Sequence, residues 1–280
     1  MLRLAEILQG DLGAGVQVSA PNLGWWRTWG QFAPLKGQVE QNACEMLGLY
    51  PNATVYIIGH SMGGLIWLEI LADHPEWWHR VRSLVLLASP VGGSDLARIF
   101  DPWGWLPLVA KDLGRDRRPI ASKIAQHIPT LAIAGDWDQG SDGTVVVGCT
   151  RFLYAHWRVI KGAYHAQIRL HPEAIAAIRT FWQNPCLAPL GEDTETQILQ
   201  CLYPLSLTDA HPRDLKYAKA IANLREGFTL WQWTSPLQVK HLFVTNDHGV
   251  VIYGGFAGWT ESYKIHQAIA DLIGNFGKKT

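Results

Sequence analysis

The chain has 280 residues, 48% of them hydrophobic, enough to bury a sizeable core in one large α/β domain or in a medium and a small one. Lys+Arg and Asp+Glu both number 24, and with no basic cluster nucleic acid is excluded as an expected partner. The four cysteines, Cys44, Cys149, Cys186 and Cys201, are scattered without a Cys-x-x-Cys pair, which argues against a metal site or a disulfide framework and for a reducing, cytoplasmic setting.

In chain order, Leu4, Ile7 and Leu8 predict a short first helix ending near Gly13 to Gly15, and Met1–Glu6 lacks a signal peptide's apolar centre. No segment approaches the ~18 continuous apolar residues of a transmembrane span. Val16 to Ala20 predicts a strand, and Pro21 to Gly24 opens a loop. Val39, Ala43, Met46 and Leu47 make one face of a second helix, with Pro51-Asn52 as a turn. Thr54 to Ile58 is an apolar strand that runs into Gly59-His60-Ser61-Met62-Gly63-Gly64, and Leu65 to Leu71 is a helix apolar nearly all round, suited to a place deep against a sheet.

Gly-x-Ser-x-Gly between a strand and a helix turns the chain sharply enough to strain the central residue. Gly59 and Gly63 are therefore expected to be required for want of a Cβ, and Ser61 to be lifted clear of the sheet. The helix beneath Ser61 points its free N–H groups at the place where negative charge develops in an acyl transfer. The plainer alternative is a glycine-rich turn whose serine merely caps the helix. The string strongly resembles the nucleophile elbow of α/β-hydrolases, in particular of lipases and esterases. The fold this implies is a mostly parallel sheet flanked by helices.

Ser83 to Ala88 is a continuous apolar run, as expected of a parallel strand covered on both faces. Residues 91–128 read as an insertion forming a modest cap, with Arg115 to Arg118 as a solvated face of it. Thr130 to Ala134 is the next strand. In the segment after it, Asp136-x-Asp138 is no calcium loop, because Gly140 and Ser141 stand where a ligand and a glycine are needed. Ser141-Asp142-Gly143 resembles the family's acid-bearing loop. Asp142 is the first choice for the triad acid and Asp136 the second, and either could instead be a turn residue bonding its own backbone. Trp157 to Ile160 is a further strand, and Ile175, Ile178, Phe181 and Trp182 line a helix that begins at Pro172.

His165, in the loop between that strand and that helix, occupies the place of the family's general base, and the order Ser61, Asp142, His165 matches the family's order. His171 competes with it, more as a capping group, and His60 reads as a packing residue. The implied chemistry is acyl transfer to water through an acyl-enzyme on Ser61, with Met62 N–H as an oxyanion donor and with no metal and no organic cofactor. Of 14 tryptophans, Trp25, Trp26, Trp103 and Trp105 fall in two loop clusters that would line a greasy substrate or meet an interface, although core packing explains most tryptophans equally well. The substrate implied is a small apolar ester or acyl compound, and interfacial membrane contact stays open.

The family's second oxyanion donor comes from a loop after a strand that precedes the first helix, and three such strands are missing here. An N-terminally truncated sequence is the expectation. A rival source is Val250 to Gly258, which also looks like a strand, a glycine loop and a helix start, and could complete the sheet as in a permuted hydrolase.

The resemblance covers roughly residues 25–175, and the expected hydrolase-like unit spans 1–183. Residues 184–280 read as a small α+β appendage of unknown role. In it Pro212 to Arg225 predicts a helix, and Phe228 to Trp233, Val239 to Thr245 and Val250 to Tyr253 predict strands. The last two are joined by a hairpin at Asn246 to Gly249, and a helix bearing Ile265, Ile269, Leu272 and Ile273 follows a cap at Thr260. The expected activity is that of a serine hydrolase on a carboxylic ester. The alternatives are an impaired relative that binds an apolar ligand or a protein partner, and a thioesterase or acyltransferase using the same three residues.

Overall fold

The computed structural model describes residues 1–13, 15–21, 32–93 and 114–278. Its first unit is a parallel sheet of β1 (Val55–His60), β2 (Val81–Leu87), β3 (Thr130–Asp136) and β4 (His156–Lys161), paired in that order. Period-2 alternation in β2 explains why it is apolar throughout. Leu84 and Leu86 join one buried cluster, while Val85 and Leu87 join another on the opposite face. The first cluster is completed by α2 (Phe32–Leu49), α3 (Met62–Asp73) and α4 (Arg118–Ala125), and the second by α1 (Leu2–Leu12) and α5 (Pro172–Gln183). Helices therefore cover both faces of the sheet.

The second unit is an antiparallel sheet in the order β5 (Thr208–Asp209), β9 (Val251–Ala257), β8 (Lys240–Thr245), β7 (Thr229–Thr234) and β6 (Lys219–Asn223). Leu230, Leu242, Val244 and Tyr253 from its strands pack with Ile198, Leu202, Ile265 and Leu272 from α6 (Thr194–Leu202) and α7 (Tyr263–Phe276). Asn246 makes the β8–β9 turn, its side-chain oxygen accepting from His248 N at 3.1 Å and Val250 N at 2.9 Å, with Gly249 at φ 73°.

Four expectations are corrected. Val16 to Ala20 forms no strand: it pairs with neither sheet, and Val18 is 41% exposed, so the segment has no face to bury. Pro212 to Arg225 is not an α-helix but a 3-10 turn, Pro212–Tyr217, followed by β6. The helical spacing of Tyr217, Ile221 and Leu224 is overridden by backbone pairing with β7, which leaves Tyr217 and Ile221 exposed and buries only Leu224. Val251–Ala257 lies inside the second sheet between β5 and β8, so it does not complete the parallel sheet. Finally, Arg117 and Arg118 are not a solvated face. Each is 2% exposed, and Ala121, Ile124 and Ala125 behind them belong to the first core cluster. The centre of the expected cap, 94–113, and Trp25, Trp26, Trp103 and Trp105 lie outside the described residues.

Candidate active site

The chain leaves β1 and enters α3 through one residue, Ser61, whose φ of 54° is a strained conformation for a side chain larger than glycine. The turn is pinned to the sheet by Ser61 N–H, which donates to Leu87 O at 2.8 Å, and it is closed by Gly64 N–H donating to Ser61 O at 3.0 Å. A Cβ on Gly59 would come within 2.4 Å of Gly64 Cα, and one on Gly64 within 2.1 Å of Ser89 Oγ. Gly59 and Gly64 are thus the pair that the close approach requires. Among the described residues nothing lies within 4 Å of a Cβ built on Gly63, so the expectation that Gly63 is needed for packing is corrected. Met62 is the first residue of α3, and the N–H groups of a first helical turn have no helical carbonyl to bond.

Ser61, His165 and Asp142 come together although they are up to 104 residues apart in sequence. Ser61 Oγ lies 2.9 Å from His165 Nε2, and His165 Nδ1 lies 2.8 Å from Asp142 Oδ2. An ionised carboxylate only accepts, so Nδ1 carries the proton and Nε2 is left to accept from the serine hydroxyl. The Asp142 side chain is 1% exposed. Its other oxygen accepts from Thr144 N at 3.0 Å and Val145 N at 2.7 Å, and its carbonyl accepts from His165 N at 2.9 Å. Both lone-pair directions and the backbone are therefore engaged, which fixes the carboxylate against the ring. Asp136 is used otherwise: its Oδ1 accepts from Gly140 N at 2.7 Å, as in the turn-forming role that was its alternative. His171 Nδ1 accepts from Glu173 N at 3.3 Å and caps α5.

His60 does more than pack. Its Nε2 lies 3.0 Å from His165 O and its ring centroid 4.9 Å from that of His165, so it ties the backbone of the histidine to the residue preceding the serine. Burial, and then the neighbouring His165 charge, push its pKa down from 6.5 to about 4, so it stands neutral beside His165 at pH 7. The signal available in sequence was only adjacency to Ser61. Trp137, 61% exposed, and Tyr164, 38% exposed, meet edge to face at 5.9 Å and flank Asp136 and His165 in sequence. Among the described residues no cluster of His, Cys, Asp or Glu could hold a metal ion, and no helix is long and apolar enough to cross a membrane.

Residues 31–107 match the family described as alpha/beta hydrolase fold. No curated protein matches the chain. Among solved structures it resembles a gene product of Listeria innocua, at 18% identity and a TM-score of 0.39, over 54% of this chain and 66% of that one, just under two thirds. The Bacillus licheniformis lipase BlEst2 is similar at 20% identity and a TM-score of 0.39, over 55% of this chain and 74% of that one. A lipase-esterase related protein of Clostridium acetobutylicum is similar at 13% identity and a TM-score of 0.41, over 66% of this chain and 89% of that one. With the family match over the elbow and a parallel sheet covered by helices on both faces, the chain has the α/β-hydrolase fold with an antiparallel sheet-and-helix appendage.

Proposed function

We propose that the chain is a serine hydrolase of carboxylic esters that works through an acyl-enzyme on Ser61. The observation that carries the reading is the continuous run of contacts from Ser61 Oγ through His165 to Asp142, at 2.9 and 2.8 Å. In this mechanism Ser61 Oγ attacks the ester carbonyl carbon while its proton passes to His165 Nε2. The tetrahedral oxyanion forms at the N-terminus of α3, where Met62 N–H and the helix dipole stabilise it, one such donor being worth about 10²–10³ in rate. His165 then returns the proton to the leaving alkoxide as the C–O bond breaks. Water, deprotonated by His165, attacks the acyl carbon, and His165 passes that proton to Ser61 Oγ as the acyl–oxygen bond breaks and the acid is released. Asp142 keeps the proton on Nδ1 and stabilises the imidazolium throughout.

The substrate class is a small apolar ester. A thioester, or an alcohol in place of water as acyl acceptor, would use the same three side chains. The division of the chain into 1–183 and 184–280 belongs to the same proposal, while 118–128, expected as part of a cap, packs in the first core cluster instead. The test is hydrolysis of aryl esters of graded acyl length, with the corresponding thioesters in parallel, by the wild type, Ser61→Ala and His165→Ala. Turnover by the wild type alone supports the reading. Turnover that survives Ser61→Ala overturns it, and a folded wild type without turnover points instead to ligand binding.

A further inference from the structure

One short stretch of the appendage, residues 209–213, lies against the loop that carries Asp142 at Asp138 and, through Arg118, against the segment that follows the loop. Arg118 Nη2 donates to both oxygens of Asp209, at 2.7 and 2.8 Å. The same guanidinium donates to Gly148 O at 3.1 Å and Arg151 O at 3.0 Å, just beyond the loop, and lies 4.5 Å from the centre of the Tyr203 ring. Within the loop Asp138 faces His211 and Arg213, with His211 Nε2 3.5 Å from Oδ1 and Arg213 Nη2 3.5 Å from Oδ2.

The Asp138 contact is mechanically coupled to the acid. Asp138 Oδ1 accepts from Ser141 N and from Ser141 Oγ, both at 2.8 Å, and Ser141 Oγ in turn accepts from Gly143 N at 3.0 Å. Ser141 and Gly143 flank Asp142. His211 is oriented for this contact, since its Nδ1 accepts from Arg213 N at 3.1 Å, which leaves Nε2–H to face Asp138. The fit leaves no slack: a Cβ on Gly140 would lie 2.9 Å from Pro212 Cδ and 3.0 Å from His211 Cε1.

We propose that the His211–Arg213 turn of the appendage positions Asp142 against His165 by bracing Asp138, so that residues 184–280 are part of the catalytic apparatus of 1–183. His211 and Arg213 are positioning residues, because neither touches Ser61, His165 or Asp142. The proposal rests on the triad reading given above. Its geometric logic is that catalysis falls steeply when a catalytic group is displaced, by about 10²-fold for a 1 Å misplacement. A brace on the acid loop should therefore act on kcat rather than on KM.

The experiment uses the full chain as wild type, Arg213→Ala, His211→Ala/Arg213→Ala and His211→Gln. Arg213 has a side chain 60% exposed, so its removal tests the brace without threatening the fold. The primary readout is the far-downfield proton resonance of His165 Nδ1–H, assigned by its absence from His165→Ala, because a role in stability alone would not move it. Loss or exchange broadening of that resonance in the double variant, weakening in Arg213→Ala, and recovery in His211→Gln are expected. A resonance that is unchanged in the folded variants, or that is missing from the wild type, would overturn the inference. The second readout is ester turnover, where kcat should fall about tenfold or more in the double variant with KM unchanged. The two proposals fail separately. Equal ester turnover by the wild type and the folded double variant overturns the positioning role alone. An inactive wild type whose resonance still depends on His211 and Arg213 overturns the hydrolase reading alone.

Discussion

The turn that carries Ser61 is built from its own neighbours, whereas the loop that carries Asp142 is held from outside. At the elbow, β1, the Gly59–Gly64 approach and the start of α3 lie within one unbroken stretch, and the pairing with β2, the bond from Ser61 N to Leu87 O and the His60 contact to His165 O add to that support. Asp142 has its local bonds to Thr144 N and Val145 N, but the frame of its loop is braced by Arg118, His211 and Arg213 from other parts of the chain. Strain can be stored at the elbow because the sheet and the helix over-determine it. The Asp142 loop has internal bonds of its own, among them Trp137 N to Ser141 O at 2.7 Å and Asp142 N to Val145 O at 3.1 Å, and under the positioning proposal the appendage adds to them.

The sharpest break of this contrast is at the acid itself. Asp142→Asn should lower kcat by about 10⁴, because an amide no longer holds the required tautomer, while Asp136→Asn should leave kcat within about threefold. Steady-state ester hydrolysis checks both, and equal losses would return Asp136 to consideration. Next comes the outside support. Arg118→Met strands the buried Asp209 carboxylate and should cost about 3–5 kcal/mol in urea unfolding, with much of it recovered in Arg118→Met/Asp209→Leu. A loss no larger than that of a surface substitution would mean that the two units are not coupled there.

At the elbow the expected effects are smaller and local. Gly59→Ala drives a methyl group into the Gly64 backbone and should destabilise by about 1–3 kcal/mol. Gly63→Ala should be neutral or should stabilise by about 0.5–1 kcal/mol, as alanine does in a helix. Thermal melts of the two variants separate the cases. The smallest effect is in the pH dependence of stability. The unfolded chain protonates His60 near pH 6.5 and the folded one only at about 4, so this contribution is whole above pH 6.5 and is lost as the pH falls through about 4. His60→Gln should flatten that part of the wild-type curve, and identical urea midpoints across the window for both proteins would show that His60 does not contribute.

How much could be read from the sequence follows the same contrast. The strands of the parallel sheet, the elbow, the Asn246–Gly249 hairpin and α5 announce themselves in contiguous residues, through apolar runs, turn pairs and helical spacing. Arg117 and Arg118 looked like surface because their partners are remote: Glu69 lies 48 positions away and Asp209 lies 91. The apolar spacing of Tyr217, Ile221 and Leu224 suited a helix, and only a neighbouring strand, β7, turned it into an edge. Gly63 belongs to the motif, yet Gly64 is the residue that the packing against Gly59 and Ser89 excludes from having a side chain. His60 could be read only as a packing residue beside Ser61, and the contacts of His211 and Arg213 with Asp138 not at all, since those partners are defined only once the chain is folded.

The most direct test of the serine hydrolase reading is intact-mass analysis after exposure to a fluorophosphonate, on the wild type and on Ser61→Ala. A single adduct on the wild-type chain, absent from Ser61→Ala and mapped to the peptide containing Ser61, is the predicted result. A folded wild type that stays unmodified, or an adduct that persists in Ser61→Ala, would contradict it.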